Sequence, residues 1–529
     1  MSSLSAPGGL PPTPRLRAAF HALRGVLRSV YVVLIAITMA LAGWVALSEG
    51  LHRYLPGLLN QTGDRYTAES LEQLRQQHDP AVLREYSREL ASMTALTHER
   101  HFVDSKLPEH GLYLAQMPRL NQALLTSHIF MGVFCMLFGG PQFWPWLRRK
   151  HMRLHRLVGG LYVLTAPVSV VLSLVYLALT PPQHLYTHLT GFVALWIFGV
   201  GAIASIGLAL HALHQRRIHE HMGWMALSFA CLLVAPMLRF NWVLSAWAFP
   251  GIDQETLNLV TLGFMLPQCL LIGLGLIWAN RQPSVRRRPL SPMADGARRL
   301  FLMASPLWWM LTLGSVTLVG LAWSGLLGGA TGLGALPGAS TLMTPALLAR
   351  ESAAWSTTPA LGAVFALGLG AALLTGVSQL LKSLNTTPQT EPIGWGLGST
   401  MVMLGSVAAG IACLIVGTRI GLAPDLAWFT GGTFYVVEGV LLLGLAAVHA
   451  RRLSVGSTGE RRESLVLLLS LLLAPALAAV NLWALSAVTW PDGYVEGGHV
   501  HLLATAGGSG LLFVAMLHAV LGQATREHA

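Results

Sequence analysis

"RRKHMRLHRLVGGLYVLTAPVSVVLSLVYLAL", residues 148–179, sets five basic side chains and two histidines against a long apolar run. From Leu157 to Leu179 that run carries no charged residue. About 20 apolar residues, rising 1.5 Å each, cross a hydrocarbon core about 30 Å thick. The stretch therefore predicts a transmembrane helix behind a cationic collar.

The same signal recurs from end to end. Spans are predicted near 29–48, 121–141, 157–179, 189–211, 223–247, 258–280, 302–325, 358–381, 395–418, 428–449, 464–489 and 500–522. With 53% apolar and only 11% charged residues, the chain reads as an all-α, polytopic integral membrane bundle of about 12 transmembrane helices. A soluble protein is excluded by that composition, and the bilayer is the one partner the sequence demands.

Basic residues in short loops stay cytoplasmic, which orients the map. With the N-terminus inside, Arg15 to Arg28, Arg148 to Arg156, Arg216 and Arg217, Arg281 to Arg299, Lys382, Arg451 to Arg462 and Arg526 share one side. Only Arg350 and Arg419 fall in the short loops opposite. Both termini are thus expected in the cytoplasm and the protein in the inner (plasma) membrane. The net charge of +11 is a topology signal, and no nucleic-acid partner follows from it.

This map divides the chain into a cytoplasmic N-terminus (1–28), an uncleaved first helix (29–48) and an extracytoplasmic loop (49–120). A histidine-rich module (121–280), a cytoplasmic linker (281–300) and a second six-helix module (301–522) follow. In the loop, Ser70-x-x-Gln73 reads as a capping box and Asp79-Pro80 as a helix start, predicting two or three short helices. Small residues from Gly362 through Gly370 and Gly376 predict close helix packing in the second module. The four cysteines lie singly within spans and read as packing residues.

Ionisable groups at membrane depth are costly, so each raises a functional hypothesis. His155 and His221 open their spans at the inner surface, while His128 and His188 lie toward the outer side. Bis-histidine ligation between helices holds b-type haem, so a His155/His221 pair and a His128/His188 pair would place haem b for transmembrane electron transfer. His155 and His221 are the metal-ligand candidates. Arg239, about 18 residues after His221, could pair with a propionate or snorkel to the interface. A polar helix end is the bland account of every interfacial histidine.

The order His128, Gly140-Pro141-Gln142-Phe143, His155-Arg156-x-x-Gly159-x-x-Tyr162, His221-x-x-Trp224-Met225 and Arg239 resembles a bacterial predicted-membrane-protein family, domain of unknown function family 2306. The resemblance covers about 120–245 and implies a compact helical membrane unit with recurrent histidines, without an established activity. His188 lies outside that pattern.

The second module adds His499 and His501 at the start of the last span and Glu438 near the middle of span ten, with His518 and Asn481 as candidate partners. A carboxyl there must be protonated or paired, which suits proton relay or ion coupling. Three functional expectations follow: a b-haem electron-transfer protein, a transporter or proton-coupled protein using Glu438 and Arg239, and a structural membrane subunit. Electron donor and acceptor, solute and oligomeric state are not specified by the sequence.

Overall fold

The computed structural model describes residues 14–59, 67–77, 79, 81–83, 113, 116–185, 188–249, 252, 254–281, 292–327, 330–385, 393–421 and 431–525. Among these it contains helices, turns and loops, and no strand. In a hydrocarbon environment every backbone polar group needs an internal partner, which the α-helix supplies within one segment.

The first helices are α1 (Pro14–Glu49), α2 (Ala68–Gln76), α3 (Arg119–Gly139), α4 (Met152–Leu179) and α5 (His188–His214). They are followed by α6 (Ile218–Leu232), α7 (Val234–Ala248) and α8 (Gln254–Asn280). The rest are α9 (Pro292–Met303), α10 (Ser305–Trp323), α11 (Pro345–Ser356), α12 (Pro359–Asn385), α13 (Leu397–Ile420), α14 (Thr433–Val455), α15 (Thr458–Leu485) and α16 (His499–Leu521). Among the described residues, eleven helices are long and apolar enough to cross a membrane, or 12 if the α6–α7 pair counts as one span. The expected all-α membrane bundle is therefore what forms.

Span five is not straight: α6 and α7 meet at Leu233 with a bend of 46°. Pro236, in the first turn of α7, cannot donate back to the preceding turn, so the helix breaks there. The linker of 281–300 also differs from expectation, because 292–303 form the amphipathic helix α9. In the loop before α3, Thr67 rather than Ser70 caps α2: Ser70 N–H donates to Thr67 Oγ1 (3.1 Å) and Thr67 N–H to Ser70 Oγ (3.0 Å). Asp79 Oδ1 accepts from Ala81 N–H (2.9 Å), as a helix start requires. The other short helices expected there lie outside the described residues.

Apolar side chains such as Leu164, Val171, Leu367 and Leu404 stand exposed along the helices, a surface suited to lipid rather than water. Inside, small residues let helices close on one another. A Cβ on Gly405 of α13 would collide with the carbonyl oxygen of Gly368 on α12, and one on Gly439 of α14 would lie 2.7 Å from the carbonyl of Gly410 on α13. All four cysteines are buried and without disulfides.

Two features join the halves. The last helix, α16, packs against α5, α6 and α8 as well as α15. At the end carrying the Arg148–Lys150 collar, Arg281 at the end of α8 pairs with Glu463 of α15 (2.6 Å) and reaches Glu460 (3.5 Å). Trp278 Nε1 donates to Glu463, and the Arg452 guanidinium lies 4.4 Å over the Trp278 ring. This buried clamp holds α8 and α15 at a common register.

Candidate functional site

The collar residues of 148–162 form a packing knot. A 3-10 turn at Gly140–Phe143 ends α3 and turns Gln142 toward the start of α4. The Gln142 amide, oriented so that its oxygen accepts from Gly159 N–H (3.2 Å), donates to His155 Nδ1 (2.8 Å). A Cβ at position 159 would lie 3.0 Å from that amide, so glycine is what admits it. Tyr162 Oη meets Ser228 Oγ of α6 at 3.2 Å, and a Cβ on Gly139 would press on both Phe229 and Tyr162. These residues bind α3, α4 and α6 into one corner.

Each expected histidine has a place in that scaffold. His221 Nδ1 donates to Ala209 O of α5 (2.9 Å). His128 Nδ1 donates to Ser169 O of α4 (2.8 Å), and Ser169 Oγ lies 3.0 Å from the same nitrogen. The ring of His188 packs edge-on against His499 at 4.7 Å, and Tyr494 lies 5.3 Å from His499. His501 is buried two residues further on. Arg239 is exposed and folds back onto Ala235 O (3.0 Å), while Asn241 bonds Gln268 of α8 (2.7 Å). Among the described residues, no three His, Cys, Asp or Glu side chains gather as a metal cluster.

Glu438 is in different surroundings. It lies five residues after Thr433, the first residue of α14, or roughly 8 Å along the helix axis, so it stands nearer one end of its span than the middle. It is only 5% exposed, and its Oε1 has no hydrogen-bond partner among the described residues. Asn481, one expected partner, is instead spent on Ala504 O (3.0 Å), tying α15 to α16.

The Glu438 side chain lines a cavity with about 60 Å³ of room for water centres, roughly four waters at 10–15 Å³ each. Four helices supply its wall: α8 through Gly263 and Pro267, α14 through Thr433 and Glu438, α15 through Leu471 and Ala474, and α16 through Thr505. The cavity thus sits where α8 of the first half meets three helices of the second.

Residues 125–276 match the family model described as "Predicted membrane protein (DUF2306)". The match runs from α3 to within four residues of the end of α8, and so includes the histidine knot, the bent α6–α7 pair and the Gly263–Pro267 wall of the cavity. No curated protein and no solved structure matches the chain. The resemblance read from the His155 and His221 motifs is thereby supported for that segment, which is similar to a family described only as membrane proteins.

Another buried carboxyl, Glu351, was not singled out by the sequence. Glu351 on α11, outside the candidate spans, is 1% exposed and accepts hydrogen bonds from Tyr435 Oη and from Leu333 N–H (3.1 Å). Trp355 and Tyr435 pack ring to ring beside it. Burial pushes its carboxyl up from 4.5 to about 7, against the lowering effect of those hydrogen bonds. A carboxyl that binds its proton more tightly folded than unfolded stabilises the fold fully below about pH 4.5, and that contribution is lost as pH rises toward 7. Thermal unfolding across this window is expected to show a loss on the order of 3 kcal/mol, which Glu351→Gln flattens. An unchanged slope in the variant would remove Glu351 as its source.

Proposed function

We propose that this chain is a proton-coupled membrane transport protein in which Glu438 takes up and releases the coupling proton. The observation that carries this is a buried glutamate on the wall of a water-sized cavity between the two halves of the bundle, one of whose carboxyl oxygens has no hydrogen-bond partner among the described residues. In a low-dielectric interior an ionised, unpaired carboxylate costs several kcal/mol, whereas the protonated form is tolerated. Occupancy of one proton therefore changes the energy of the seam that α8, α14, α15 and α16 share. Any conformation that wets the cavity differently would bind that proton differently, which is the linkage coupling requires.

Dicyclohexylcarbodiimide reacts with protonated carboxyls in apolar surroundings and tests the proposal. The folded protein in detergent is expected to carry the adduct at Glu438, with labelling that slows as pH rises and is absent in Glu438→Gln. A Glu438 that stays unmodified at all pH values would sink the proposal.

One observation favours a second reading, haem b held between His155 and His221 for electron transfer. His221 commits Nδ1–H to Ala209 O, which leaves Nε2 as the ligand nitrogen. His155 would have to exchange its Gln142 contact for the metal. Under this reading, protein produced with a haem supply shows a Soret band that His155→Ala removes; a colourless wild-type protein rules it out.

A further inference from the structure

We infer that the Glu438 cavity is a binding site for a monovalent metal cation, Na⁺ being the probe of choice, which competes with the proton on the same carboxyl. The inference rests on the reading of Glu438 as a proton-exchanging group and adds the oxygen donors that surround it.

Two of those donors come from helix-breaking chemistry. Pro267 lies inside α8 and Pro475 inside α15. A proline has no N–H, so the carbonyl four residues earlier loses its helical donor. The two carbonyls so released belong to Gly263 and Leu471, and both residues line the cavity. Gly263 has no side chain, so only backbone faces the space there. Two prolines on different helices thus release carbonyls at residues of one cavity wall.

The remaining polar groups are oxygens as well. Thr505 spends its proton on His501 O (3.0 Å) and Leu502 O (3.1 Å), which leaves the hydroxyl's lone pairs as acceptors. Thr433 brings a second hydroxyl, and Glu438 brings its carboxyl group. Among the described residues, no Lys, Arg or His lines the space. A donor set of one carboxylate with neutral hydroxyl and carbonyl oxygens carries a single negative charge. Ca²⁺ sites are built from several carboxylates and Mg²⁺ holds its water shell tightly, so a singly charged ion is the electrostatic match. Carbonyls released from broken transmembrane helices are ligands of that kind for Na⁺. Room for about four waters accommodates an ion that keeps part of its hydration.

The cation and the proton then exclude each other, because the ion needs the ionised carboxyl and the proton neutralises it. The test is the rate of carbodiimide labelling at Glu438 in the full-length protein, in NaCl and in choline chloride of equal ionic strength. Saturating Na⁺ is expected to slow labelling about tenfold or more. In Thr505→Val the Na⁺ concentration for half-protection should rise roughly 10- to 100-fold while labelling in choline chloride persists. Equal rates in the two salts overturn the cation site and leave the proton reading standing. No labelling in either salt overturns both.

Discussion

Glu463→Ala is expected to destabilise the folded bundle by about 3–5 kcal/mol, the cost typical of leaving one member of a buried ion pair alone. Glu463 is 4% exposed and Arg281 6% exposed, so the guanidinium has little water to fall back on. Glu460 lies 3.5 Å from Arg281 but is more exposed and does not accept from Trp278, so it is a poor substitute. Replacing both partners, as in Arg281→Met with Glu463→Leu, should recover part of the loss, since well-packed apolar residues often equal a buried pair in stability, while Trp278 Nε1 still loses its acceptor. Equilibrium unfolding of the single and double variants measures this. A Glu463→Ala protein as stable as wild type would mean that the clamp does not hold α8 to α15. The expectation has a functional side, because those two helices carry Gly263, Pro267, Leu471 and Ala474 into the cavity wall.

Much of the architecture was legible because the bilayer imposes a length on apolar runs. Span three, predicted at 157–179, appears as Met152–Leu179, and span nine, predicted at 395–418, as Leu397–Ile420. The pattern was silent on kinks and on polar helices. Pro236 bends a run whose hydropathy is unbroken, and Arg298 and Arg299 sit on the regular helix α9 within a stretch that reads as linker. The small-residue signal in 362–376 did report packing, since a Cβ on Gly376 would meet Leu469 of α15.

Candidate site residues were legible in proportion to how unusual they are in a span. Glu438 stands out in "FYVVEGVLLLG", and the structure puts it on a cavity. His155 and His221 stood out too, and the structure gives each a hydrogen-bond partner in the scaffold. Gly263, Leu471 and Thr505 carry no such mark, since a released carbonyl or a threonine hydroxyl looks ordinary in any apolar helix. Pro267 and Pro475 were the available signal, because interior prolines announce freed carbonyls four residues upstream. Glu351 gave none, because what buries it is the fold of 333–335 and the ring of Tyr435, far apart in sequence.

Glu438→Gln is the variant with the largest expected effect on function. Glutamine keeps the size and polarity of the protonated acid but has no proton to exchange, so packing at the cavity should survive while coupling does not. In wild-type proteoliposomes on a solid-supported membrane, a rapid pH jump moves protons onto and off a group inside the bilayer and displaces charge. Wild type is expected to give a transient current that falls to the level of protein-free liposomes in Glu438→Gln, with unfolding temperature little changed. A current of wild-type size in that variant would mean that Glu438 does not carry the proton.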